Sequence, residues 1–346
     1  MSGRLDDLDH MSSVDPSGMV DEIAAFPDHL EYALCSDLGL EGSVNGVCIC
    51  GMGGSAIGAD ILSDLVASRS RSFISVVRGA ELPGWLGPED LVIAVSYSGN
   101  TREVLGAFDE ALEKRLPLMA ITSGGELMDR CRARGVPFSP VPGEYQPRAA
   151  LGHLMGSLAC VLERQGVARL SSEMSDLVPS LREYASRMDR EVPEHENPAK
   201  RLARLLHGRL PVVYSSPTFR SVGTRWQTQI NENAKMLAFS GEFPECNHNH
   251  IVGWLEGGVG DRCRPLFLRA GSDPPFICDL METTIEVMED GGKDPLMVEL
   301  EGQGRLHSLL TGIMLGDWVS YYLAMLRGVD PTPVESIAEL KRRMSR

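Results

Sequence analysis

Residues 91–95, Leu-Val-Ile-Ala-Val, have the length and branching of a buried strand. They stop at Ser96-Tyr97-Ser98-Gly99-Asn100-Thr101, and a helix-compatible stretch over 102–114 follows at once. The succession recurs along the chain. A strand over 46–50 enters the glycine-rich turn Gly51-Met52-Gly53-Gly54-Ser55, then an amphipathic stretch over 56–66, and further strand-like runs cover 73–77 and 117–121. Strands alternating with helices at this spacing predict a doubly wound α/β fold with a parallel sheet.

The loop after residue 95 is suited to an anion. A helix start offers unpaired backbone N–H groups and a partial positive charge, and Ser96, Ser98 and Thr101 add side-chain donors. Phosphate is the expected anion. The loop contains no lysine, so it would grip a phosphate without polarising it as a leaving group. The phosphate is then a handle rather than a group in transfer.

The same grammar returns later in the chain. A loose tail is expected over residues 1–20 and a mostly helical segment over 19–38. Between 166 and 198 the chain turns polar, punctuated by Pro179, Pro193 and Pro198, and reads as a helical connector. A strand over 210–214 then enters Ser215-Ser216, a helix follows from Ser221 onward, and strands are expected over 266–270 and 296–300. Helices are predicted over 226–239, 306–326 and 333–343, the last after Asp330-Pro331-Thr332-Pro333. The resulting division is a flexible tail (1–20), a first domain (21–165), the connector (166–198) and a second domain (199–346).

Composition bounds the function. At 346 residues the chain is long enough for two cores, and 43% hydrophobic with 23% charged residues is ordinary globular usage. A net charge of −15 with no basic stripe argues against a nucleic-acid binder. The first 20 residues have no apolar signal-peptide core, and no apolar run approaches 18 residues, so no membrane partner is expected. The cysteines at 35, 48, 50, 131, 160, 246, 263 and 278 form no CxxC pair. They read as free thiols of a cytoplasmic protein rather than as metal ligands.

Several motifs carry competing readings. Gly51-Met52-Gly53-Gly54-Ser55-Ala56 satisfies a dinucleotide fingerprint, but the next strand ends at Val77-Arg78 rather than at an acidic residue for a ribose. A second hydroxyl-rich cradle favours a sugar phosphate instead. Arg148, in a loop leading into an apolar helix, reads alone as a solvated arginine, although the dipole disfavours it there. Glu232, in Asn231-Glu232-Asn233-Ala234-Lys235, reads alone as a solvated helix residue, and His248, in Asn247-His248-Asn249, as a structural histidine. Together a carboxylate and a histidine are what proton abstraction beside a carbonyl and opening of a cyclic sugar require. No GxSxG elbow and no HExxH helix is present.

The ordered set Gly51 to Ser55, Ser96 to Thr101, 147–152, Asn231 to Lys235, Asn247 to Asn249 and Asp330 to Val334 resembles the bifunctional phosphoglucose/phosphomannose isomerases of the sugar isomerase (SIS) superfamily. The resemblance runs from about residue 20 to the C-terminus. It implies two SIS domains, each a five-stranded parallel, flavodoxin-like sheet flanked by helices, with the active site between them near a homodimer interface. Gly54, Ser55, Ser96, Ser98 and Thr101 match the phosphate ligands, Glu232 the base, His248 the ring-opening histidine, Arg148 the arginine beside the enediolate and Lys341 a C-terminal lysine. In related enzymes the histidine comes from the neighbouring subunit. Thr332 is read as a small wall that leaves room for both C2 epimers. Ala56 and Ala59 stand where the family often has glycine. The implied activity is interconversion of glucose 6-phosphate and mannose 6-phosphate with fructose 6-phosphate through a cis-enediol, with no metal and no cofactor. A non-catalytic SIS sensor of sugar phosphates, an amidotransferase-type isomerase and an isomerase for another phosphosugar are the alternatives. The amidotransferase is disfavoured, because Ser2 stands where its cysteine would be.

Overall fold

A computed structural model of the chain describes residues 5–35, 42–258 and 262–344. It divides into two units, Ala25–Arg182 and Met1–Ala24 with Glu183–Arg346. The chain opens with α1 (Leu8–Val14) and α2 (Met19–Ala24), which belong to the second unit.

In the first unit, α3 (Phe26–Leu34) precedes the alternation β1 (Gly46–Cys50), α4 (Gly54–Val66), β2 (Phe73–Val77), β3 (Asp90–Ser96), α5 (Arg102–Glu113), β4 (Leu118–Thr122), α6 (Gly125–Arg134), β5 (Phe138–Pro140), α7 (Leu151–Arg164) and α8 (Ser171–Ser186). The five strands are parallel in the order β2-β1-β3-β4-β5. Every residue of β1, β3 and β4 is buried, as expected of inner strands covered by helices on both faces. The edge strand β2 is only half-buried. Order reverses between β1 and β3, so the crevice at their C-terminal ends is the switch point at which ligands bind such sheets.

The second unit continues with α9 (Pro198–Leu206), β6 (Leu210–Ser215), α10 (Arg220–Asn233), β7 (Phe239–Glu242), a 3-10 turn at Glu245–His248, α11 (His250–Glu256), β8 (Cys263–Ala270), α12 (Pro275–Asp290), β9 (Leu296–Leu300), α13 (Arg305–Arg327) and α14 (Glu335–Met344). Its parallel sheet has the order β7-β6-β8-β9. The two-domain doubly wound fold is as expected, but this sheet has four strands among the described residues, not five.

Four further expectations give way. The tail is anchored: Leu5 and Met11 are buried, Asp7 caps α1 by accepting from the His10 N–H at 2.9 Å, and Asp6 meets the buried Lys200 ammonium at 3.1 Å. Two apolar side chains in a polar stretch gave little signal, and Lys200 is 194 residues away. The segment after 165 is not a loose connector either, since Met174, Val178 and Leu181 of α8 are core residues. The helix predicted to reach 239 ends at Asn233, where Lys235 turns left-handed at φ 51° and Phe239 begins β7. Finally, α13 is long and apolar enough to cross a membrane, yet the qualifying window is wholly buried in the protein. Its interior Asp317 pairs with Arg225 on α10 through two bonds of 2.9 and 2.7 Å.

Candidate active site

The first unit gathers its hydroxyls at the switch point. The turn after β1 and the loop after β3 are joined where the Tyr97 N–H donates to Ser55 Oγ at 3.2 Å. Ser55 and Ser96 are buried, Ser98 is exposed, and Ser96 Oγ lies 2.9 Å from Thr101 Oγ1. Thr101 is the N-cap of α5, but its hydroxyl faces Ser96 rather than capping the helix, and α4 likewise has no side-chain cap. The α5 start, with no side-chain cap, therefore meets the hydroxyl cluster, the arrangement that binds anions, whereas the Ser55 and Ala56 amides of α4 donate to the Met52 and Gly53 carbonyls.

Two glycines make this packing possible. A Cβ on Gly54 would lie 2.9 Å from the Pro147 carbonyl oxygen and 3.2 Å from Arg148 Cα. The loop carrying Arg148 thus lies directly on the phosphate turn, and Arg148 itself is buried. Gly99 holds φ at 68°, and a Cβ there would overlap the Gly124 carbonyl, which fixes the loops after β3 and β4 against each other.

The corresponding switch point of the second unit is furnished differently. At the ends of β6 and β8, the Asp273 carboxylate accepts from the Ser216 hydroxyl and, at 2.8 Å, from the Ala270 N–H. Burial raises the Asp273 carboxyl above its ordinary range, and these two donors oppose the rise.

Glu232 lies near the C-terminal end of α10, on a cavity of about 800 Å³ lined also by Asn231, Lys235, Asp330, Val334 and Ile337. The helix is locked onto α13: Trp226 Nε1 donates to the Gly312 carbonyl at 2.8 Å and Asn233 Nδ2 to Ser320 Oγ at 2.9 Å. Asn231 Oδ1 accepts from the Ala238 N–H at 2.8 Å, shaping the turn into β7. Lys235 Nζ donates to the Glu232 carbonyl at 2.6 Å and to the Pro331 carbonyl at 2.9 Å. It ties the closing segment, with half-buried Thr332, to the helix end that carries Glu232. Lys341 is exposed on α14, beyond the residues that line the cavity.

His248 is exposed in the 3-10 turn. Its neighbours are fixed, since Asn247 Nδ2 donates to Thr284 Oγ1 at 2.6 Å and Asn249 Nδ2 to Glu245 Oε1 at 3.1 Å. The turn follows the C-terminal end of β7, whereas Glu232 belongs to the helix end that leads into that strand. The two residues therefore occupy opposite ends of the second sheet. The structure gathers Gly54, Ser55, Ser96, Ser98, Thr101 and Arg148, and it places Asp330 and Pro333, neighbours of Thr332, on the cavity of Glu232. It does not bring His248 to Glu232 within the unit.

A family model for the bacterial phospho-glucose isomerase C-terminal SIS domain matches residues 195–344. A bifunctional phosphoglucose/phosphomannose isomerase of Aquifex aeolicus is 34% identical over 87% of this chain and 91% of its own length. The chain belongs to the bifunctional phosphoglucose/phosphomannose isomerases. A further relative of that description, from Caldicellulosiruptor bescii, is 34% identical over 94% of this chain and 99% of its own. A glucose-6-phosphate isomerase like protein of Thermus thermophilus shares the fold, with a TM-score of 0.64 at 23% identity over 94% of each chain. In this isomerase chain the work of Lys235 and Tyr97 escaped the sequence reading. Lys235 acts through left-handed backbone and a contact 96 residues away, and Tyr97 through three loops distant in sequence.

Proposed function

We propose that the protein is an aldose–ketose isomerase that interconverts glucose 6-phosphate and mannose 6-phosphate with fructose 6-phosphate through a cis-enediol. The observation that carries the reading is Glu232 on a cavity of about 800 Å³ in a chain that also has a lysine-free hydroxyl cradle. The substrate phosphate docks on Ser55, Ser96, Ser98 and Thr101 beside the start of α5. The cradle thus supplies binding energy remote from the reacting carbons. Glu232 moves a proton between C1 and C2, and Arg148 offsets negative charge developing on the enediolate oxygens. Thr332 is assigned to the wall that admits either C2 epimer, whereas Lys341, exposed beyond the cavity lining, is given no step there. Among these side chains Glu232 supplies the base and Arg148 the counter-charge.

His248 assists ring opening. Its position at the opposite end of the sheet from Glu232 supports assigning it to a second copy of the chain, so the working form is a homodimer. Eight free thiols favour a reducing, cytoplasmic setting. A sensor that only binds sugar phosphates would need neither Glu232 nor its cavity. The test is a coupled assay of the purified protein with glucose 6-phosphate and mannose 6-phosphate in EDTA. Turnover of both is expected, and turnover of neither overturns the reading.

A further inference from the structure

Tyr97 stands inside the hydroxyl loop, between Ser96 and Ser98, yet its side chain is directed inward and the residue is 5% exposed. Its polar atoms each bind a different segment. The N–H donates to Ser55 Oγ at 3.2 Å, in the turn after β1. The carbonyl accepts from the N–H of Ser123 at 3.1 Å and from its hydroxyl at 2.6 Å, in the loop after β4. The phenolic oxygen accepts from the Tyr145 N–H at 3.0 Å, in the loop after β5 that continues to Arg148. The loops following β1, β3, β4 and β5 thus share one residue. The first two hold the phosphate cradle, and the last holds the arginine.

We propose that Tyr97 is a positioning residue for the isomerisation, setting the Arg148 loop at a fixed distance from the phosphate handle. The inference rests on the isomerase reading above. Ser55 and Ser123 engage the backbone of Tyr97 and would survive loss of its hydroxyl, whereas Tyr145 would not keep its acceptor. The phenol therefore separates two tasks. Binding of the phosphate needs only the backbone bonds, and alignment of Arg148 needs the hydroxyl.

Tyr97→Phe removes that oxygen alone. With fructose 6-phosphate we expect kcat to fall about tenfold while KM stays within about twofold, since one buried hydrogen bond typically carries an effect of this size. Hydrogen exchange at the Tyr145 amide should quicken in the same variant. A double-mutant cycle with Arg148→Lys should show strong non-additivity, because both changes act through one group. Wild-type kcat in Tyr97→Phe overturns the inference, as does a loss that simply adds to that of Arg148→Lys. Should Tyr97→Phe fold poorly, Ser123→Ala removes one bond to the Tyr97 backbone and leaves the phenol in place, so KM should rise with kcat kept. A fall in kcat at unchanged KM in Ser123→Ala, or a raised KM at unchanged kcat in Tyr97→Phe, would overturn the proposal. If wild-type protein turns over neither sugar, the isomerase reading fails first and takes this inference with it.

Discussion

At the scale of single residues, the reading turns on two side chains whose roles separate in assay. Glu232→Gln keeps the shape of the cavity wall and removes the base, so turnover should drop by about 10²–10⁴-fold, the usual worth of general-base catalysis. Coupled kinetics at saturating fructose 6-phosphate measures it, and wild-type turnover would sink the assignment. For His248→Ala, activity on cyclic substrate should fall well below activity on the open-chain form, and equal losses on both would remove the ring-opening role. The polar residues around these two were also legible as motifs, but their work was not. Asn231 holds the turn into β7, Asn233 ties the helix end to Ser320 on α13, Lys235 caps that end, and Asn247 anchors the turn carrying His248. Motif spacing marks such residues as a group, whereas only geometry divides support from chemistry.

At the scale of elements, strands over 46–50, 73–77 and 296–300 stand where the alternation of apolar runs put them. The short edge strands β5 and β7 escaped, because three or four residues at a sheet margin carry too little apolar pattern. The loops are where local rules meet distant partners, and Gly99 is the sharpest case. Gly99→Ala should destabilise the first unit by about 1–3 kcal/mol and raise KM, because the left-handed backbone and the Gly124 carbonyl both resist a Cβ. Thermal melting and steady-state kinetics together check it. Helices α3 and α7 meet through stacked rings of His29 and His153, 4.3 Å between centroids, with Tyr145 against the same pair. Burial, and then the neighbouring His29, hold the His153 imidazole down at about 4. A depressed imidazole in the folded state means the unfolded chain takes the proton first. Its contribution is therefore complete above about 6.5 and is lost as pH falls towards 4. The full loss is about 3 kcal/mol. Denaturant melts at pH 7.5 and 4.5 should show this slope, and His153→Phe should flatten it.

At the scale of the whole molecule, a homodimer with shared sites predicts complementation between inactive chains. Mixing Glu232→Gln with His248→Ala chains and allowing them to exchange should restore about a quarter of wild-type turnover, since half of the dimers are mixed and each holds one intact site. Activity no higher than that of the parents would place both residues in one copy. The doubly wound plan of both halves was legible from strand–helix alternation, and the family from the order of motifs. What escaped was which parts attach where, as with the first helices anchored through Asp6 and Lys200 and the apolar α13 kept wholly inside. The second switch point shows what such repetition of plan can leave behind. There the Asp273 carboxylate already accepts the amide and hydroxyl that an incoming anion would want. A visitor of like charge would have to displace it. In that half the molecule thus carries its own counterfeit of an anionic guest.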